Sequence, residues 1–148
     1  MLGDFKRIME ICIIKTGSIL NEMDIARTCG MSQPTVHRYI NLLEASNLFI
    51  KLKPFTKSSL KRVIKSPKGY FLDPGLASYL AGFRNLESIP QEFQGRLFET
   101  LILLNLSIYA SLMNGTVYYW RTMGKKEKIF FVFPGLFFNQ YYSDSMSL

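Results

Sequence analysis

The stretch Gly30–Met31–Ser32–Gln33–Pro34 constrains this chain more than any other. A glycine there ends one helix, and a serine offers its oxygen to the free N–H groups that start the next. Proline is accepted just after the serine because the first turn needs no intrahelical N–H partner. Upstream, Ser18 or Asn21 caps a short helix over residues 22–28, with Met23, Ile25 and Ala26 available for burial. Downstream, Gln33–Ala45 carries the inward stripe Val36, Ile40 and Leu43, which Tyr39, Leu42 and Leu48 widen. Two helices joined by so short a glycine-bearing turn form a helix-turn-helix. Before them, Phe5, Ile8, Met9, Cys12 and Ile13 recur at helical spacing and predict a first helix that stops near Gly17.

After Asn47 the period changes to two. Leu48, Ile50 and Leu52 alternate with Phe49, Lys51 and Lys53, which predicts a strand; residues 54–59 read as a turn and 60–65 as a returning strand. Such a hairpin after the third helix is a wing. Ser66–Pro67–Lys68–Gly69 reads as punctuation, Tyr70–Phe71–Leu72 as a further short strand, and Asp73–Pro74–Gly75 as a turn capping a small helix through Leu80. Residues 82–90 lack periodicity and read as a linker, so a winged helix-turn-helix domain over residues 1–84 is expected, followed by a second module over 85–148. That second module begins with a long helix, Phe93 through Tyr109, apolar around much of its circumference. Strands over 116–120 and 128–133 follow, with Pro134–Gly135 stopping the second. The fold class expected is α/β (α+β).

The chain has 148 residues, 48% of them apolar and 20% charged, as a folded globular protein does. Its net charge of +7 is unevenly placed. Residues 1–47 hold five basic and five acidic side chains, and residues 69–148 six of each. Lys51, Lys53, Lys57, Lys61, Arg62, Lys65 and Lys68 supply the whole excess. Such a block is either a solvated basic hairpin or a surface for phosphates. On the third helix, Gln33, Thr35, His37, Arg38 and Asn41 lie off the core stripe. Arg38, Gln33 and Asn41 carry donors and acceptors suited to base edges, and Thr35 suits a phosphate or a thymine methyl. With Lys57, Lys61 and Arg62 on the wing, these eight residues are the expected DNA contacts; the bland alternative is a polar, solvated helix.

Catalytic material is sparse. Glu99 sits in the apolar helix, where it is expected to pair with Arg96 or Arg121, and Glu127 stands at the entry to the last strand. His37 is the single histidine and no GxxxxGK[ST] segment occurs, so no metal site, nucleotide or other cofactor is expected. Cys12 and Cys29 stand outside any CxxC pair and read as buried thiols in a cytoplasmic protein. The apolar run from Leu97 to Met113 is interrupted by Glu99 and Asn105, so no membrane span is expected.

Several segments together resemble the C-terminal module of bacterial and archaeal AAA-type ATPases, uncharacterised domain family 4143. These are residues 17–21, Met31–Ser32–Gln33–Pro34–Thr35 and its continuation to Glu44, residues 65–76, Gly95–Arg96–Leu97–Phe98–Glu99, and Tyr118–Tyr119–Trp120–Arg121–Thr122. The resemblance implies a winged helix followed by a restriction-endonuclease-like α/β module, here truncated at its C-terminus and without the ATPase domain. It implies an accessory, DNA-associated role, or alternatively a docking and regulatory role toward an ATPase without DNA contact. Where that family's second strand carries an aspartate this chain has Phe130, and no Glu-x-Lys pair follows, so the nuclease carboxylate set is incomplete and catalysis is not expected. Expected partners are double-stranded DNA, and an ATPase or a second copy bound through the C-terminal half.

Overall fold

The computed structural model describes residues 2–55, 66–121, 127–133 and 136–137. Among these the elements run α1 (Leu2–Ile14), β1 (Ser18–Ile19), α2 (Glu22–Cys29), α3 (Gln33–Ala45), β2 (Phe49–Leu52), β3 (Lys68–Phe71), α4 (Pro74–Leu80), a 3-10 turn (Leu86–Ser88), α5 (Gln91–Leu112), β4 (Thr116–Arg121), β5 (Glu127–Phe133) and β6 (Leu136–Phe137). The protein is a mixed α+β fold with five described helices and two small antiparallel sheets, ordered β1-β3-β2 and β4-β5-β6.

Local chemistry sets the helix ends. Asn21, rather than Ser18, caps α2 by accepting from the Asp24 N–H, because Ser18 is already in β1. Gly30 closes α2 at φ 67°, a left-handed conformation in which its N–H reaches the Ala26 and Arg27 carbonyls. Ser32 then accepts from the Thr35 N–H and starts α3. Ile8, Cys12 and Ile13 of α1, Ile25, Ala26 and Cys29 of α2, and Val36, Ile40 and Leu43 of α3 meet in one core. Each fully buried aliphatic chain there is worth about 1.5–3 kcal/mol relative to exposure. Met23 and Leu42, expected to join this core, are instead exposed, at 58% and 51%.

The first sheet differs from the expected hairpin. Phe49–Leu52 pairs with Lys68–Phe71, in the register Phe49↔Phe71 through Leu52↔Lys68. The proposed returning strand over 60–65 lies outside the described residues. Lys68 and Gly69 are therefore strand residues rather than punctuation, and the reason lies across the sheet. A Cβ on Gly69 would lie 2.4 Å from Cζ at the tip of the Phe49 ring, so glycine leaves the room that ring occupies. The alternation within β2 holds from Phe49 to Leu52, but both faces are buried: Phe49 and Phe71 pack on the helical core, while Leu52 and Tyr70 face a second core with Leu103, Leu106, Tyr119 and Ile129. Both sides of the sheet are covered, which is why all four residues of β3 are buried.

That second core joins the parts of the chain on either side of residue 85. The Tyr119 N–H donates to the Lys53 carbonyl (3.1 Å), and the Phe55 N–H donates to the Tyr119 carbonyl (2.7 Å), so the chain leaving β2 runs on beside β4. β5 pairs with β4 from Glu127 through Val132, and with β6, where Phe133 lies opposite Leu136.

Candidate nucleic-acid interface

α3 displays its polar side because the stripe Val36, Ile40 and Leu43 is wholly buried on the other. Gln33, His37 and Asn41 follow one another at i, i+4, i+8 on that exposed side, and Arg38 stands on the adjoining row. Thr35 is half-buried and its hydroxyl lies 2.8 Å from that of Ser32, so its oxygen is drawn into the helix cap. Arg38 places its guanidinium 5.7 Å from the centre of the Tyr39 ring.

Two of these residues are already held by the protein. Nδ1 of His37 lies 2.9 and 3.1 Å from the two Glu22 carboxylate oxygens. Asn41 accepts from Lys51 at 2.8 Å, and the same ammonium pairs with Glu44 at 2.8 Å and Glu22 at 3.9 Å. Glu22, Glu44 and Lys51 escaped the reading of the sequence. The parity of β2 carried the signal for Lys51: it stands two residues from Phe49 and so shares the face turned toward α3. No spacing pattern links Glu22 to His37, because the two meet only when α2 crosses α3. In the same first turn of α2, the Lys15 ammonium bonds to Asp24 at 2.5 Å. That hydrogen bond and charge hold the pKa of Asp24 below the ordinary carboxylate range.

The basic block is therefore only partly a surface. Lys53 is exposed, Lys51 is engaged with two carboxylates, and Lys57, Lys61 and Arg62 lie outside the described residues. Lys68 is interior. Its ammonium and the Tyr70 hydroxyl both donate to one oxygen of Glu99, at 2.9 and 2.5 Å. Glu99 thus takes its partners from β3 rather than from Arg96 or Arg121 as expected. Arg96 is held by Glu92, at 2.6 Å, and by the Ile14 carbonyl at the end of α1, at 3.1 Å. Beside this cluster the buried Thr16 hydroxyl accepts from the Phe71 N–H at 3.0 Å and faces Thr100 at 3.5 Å.

Cys12 and Cys29 are free and buried. Burial pushes the Cys12 thiol up to about 12, helped by the neighbouring Cys29 and Glu22, and raises that of Cys29 as well. No described helix is long and apolar enough to cross a membrane.

These features define a small α+β protein in which a helix pair joined by a tight turn packs on a sheet covered from both sides. The chain belongs to a domain family of unknown function, DUF8612, whose model matches residues 2–87. That match overturns the resemblance to family 4143, and nothing in the comparisons links the chain to AAA-type ATPases. Much of what carried the resemblance is local folding chemistry, the Ser32 and Asp73 caps with a proline after them, which any chain with these helix starts requires. Two curated relatives are similar, an uncharacterised protein of Mycobacterium bovis and one of Mycobacterium tuberculosis. Each is 32% identical over 114 residues, which is 75% of this chain and 25% of theirs. The chain thus spans about a quarter of the length of the relatives it matches. No solved structure matches.

Proposed function

We propose that this chain is a DNA-binding module, a winged helix that inserts α3 into the major groove. The observation that carries the reading is the two-sided α3, with Val36, Ile40 and Leu43 fully buried and Gln33, His37, Arg38 and Asn41 exposed off that stripe. The order of α1, β1, α2, α3, β2 and β3, with β1 and β2 flanking β3, supports the winged-helix assignment. Arg38 and Gln33 are the leading base readers, Arg38 toward guanine and Gln33 toward adenine. His37 and Asn41 are oriented by Glu22 and Lys51 and would have to exchange those partners for a base edge. Lys57, Lys61 and Arg62 supply phosphate contacts, which raise affinity without choosing sequence. The buried thiols Cys12 and Cys29 support a cytoplasmic setting, where thiols stay reduced.

Fluorescence anisotropy with a labelled random-sequence duplex tests this. Three phosphate contacts predict roughly a 40-fold loss of affinity between about 50 and 200 mM salt, and replacing Lys57, Lys61 and Arg62 by alanine should flatten that dependence. Arg38→Ala should weaken binding to a selected site by about 1–3 kcal/mol. Binding indifferent to salt and to the triple replacement defeats the proposal.

A further inference from the structure

α5 has two sides. Thr100, Leu103, Leu106 and Ala110 are buried against the second core. At 100° per residue, Phe98, Leu101, Asn105, Ile108, Tyr109 and Leu112 form a single stripe opposite them. The stripe is open, with Phe98 exposed by 63%, Tyr109 by 57% and Leu112 by 76%. We infer that this stripe is a self-association surface, on which α5 of a second copy lies antiparallel across a two-fold axis passing through Asn105.

Three observations favour a second copy over another occupant. Size is the first: the five apolar residues of the stripe, with the neighbouring Met113, expose on the order of 600 Å². That is the upper limit for a patch on a typical monomer and most of the about 800 Å² per partner of a standard interface. Charge is the second. No ionisable acid or base occurs from Thr100 through Met113 other than the Tyr109 phenol, so the partner surface must be neutral, which the same stripe supplies. The third is internal symmetry. Phe98 and Leu112 lie equally far from Asn105 along the helix, as do Leu101 and Tyr109. An antiparallel pair therefore sets Phe98 against the partner's Leu112 and Leu101 against the partner's Tyr109, and brings the two asparagines together on the axis. Such a contact is self-complementary and closes at two copies. Asn105 donates from Nδ2 to its own Leu101 carbonyl at 2.8 Å, so part of its polarity is already satisfied when the face is covered.

Sedimentation equilibrium over about 1–100 µM tests the assignment, using the full chain. The expected species has twice the 17.1 kDa of one chain. Leu101→Glu combined with Ile108→Glu should return it to 17.1 kDa with an unchanged far-ultraviolet spectrum, both residues being exposed on the single chain. Orientation is read separately from Asn105→Cys, which should form an interchain disulfide under mild oxidation and lose it in the Leu101→Glu/Ile108→Glu background. Cys12 and Cys29 are buried and will not compete. A monomer throughout the range, a dimer surviving the double replacement, or a dimer in which Asn105→Cys fails to cross-link overturns the inference.

Discussion

Glu99 shows how one side chain ties two parts of a molecule together. Its carboxylate is 22% exposed and accepts from a Lys68 ammonium that is only 3% exposed, as well as from Tyr70. Removing one partner of such a pair takes away charge that compensates the buried other, which typically destabilises by about 3–5 kcal/mol, whereas apolar replacement of both is often nearly neutral. Glu99→Ala is therefore expected to lower stability by about 3 kcal/mol in urea unfolding. The double replacement Lys68→Met/Glu99→Leu should recover most of that loss. Equal losses in the single and double variants would contradict the coupling. The sequence disclosed that Glu99 needed a partner, because an acid in an apolar helix is costly to bury alone, but it pointed to Arg96, the nearest cation. One turn before Arg96 stands Glu92, which takes the guanidinium, and the true partners enter from a strand about thirty residues earlier.

Among the elements, those whose ends are set by neighbouring residues were legible. Ser32 with Pro34 marked the start of α3, and the stripe Val36, Ile40 and Leu43 marked its buried side, because cap and period are both local. β3 was not legible. Ser66–Pro67–Lys68–Gly69 has turn composition, yet Lys68 and Gly69 are strand because of Glu99 and the Phe49 ring, neither of which is near in sequence. Gly69→Ala is accordingly expected to destabilise by about 1–3 kcal/mol through overpacking, and Phe49→Leu to restore part of that loss. Guanidinium unfolding of the two single variants and the double completes the cycle; additive effects would show that the ring is not what holds the glycine in place. The candidate site was half legible for the same reason. The exposed polar row of α3 follows from its period, but the partners of His37 and Asn41 come from α2 and β2.

For the whole molecule, the telling fact is that the sheet β1-β3-β2 has no open side. Leu52 and Tyr70 are covered by residues of α5, β4 and β5, although the absence of periodicity over 82–90 suggested a boundary near residue 85. A chain ending at residue 84 re-exposes both side chains, each worth about 1.5–3 kcal/mol. Its unfolding midpoint in urea should therefore fall well below that of the full chain. Identical midpoints would mean that the two parts are independent. The charge tells the same story: +7 marks one segment, yet Lys68 is spent on the interior and Lys51 on Glu44 and Glu22, leaving less for a partner than the count suggests. The bonds of Tyr119 to Lys53 and Phe55 also set an order in time. Contacts among α1, α2 and α3 close short loops, whereas Tyr119 must find a strand edge more than sixty residues back, and longer loops close at greater entropic cost and more slowly. Loop-closure entropy therefore predicts that the helices of the first part form early and become the template on which β4 and its neighbours are laid down.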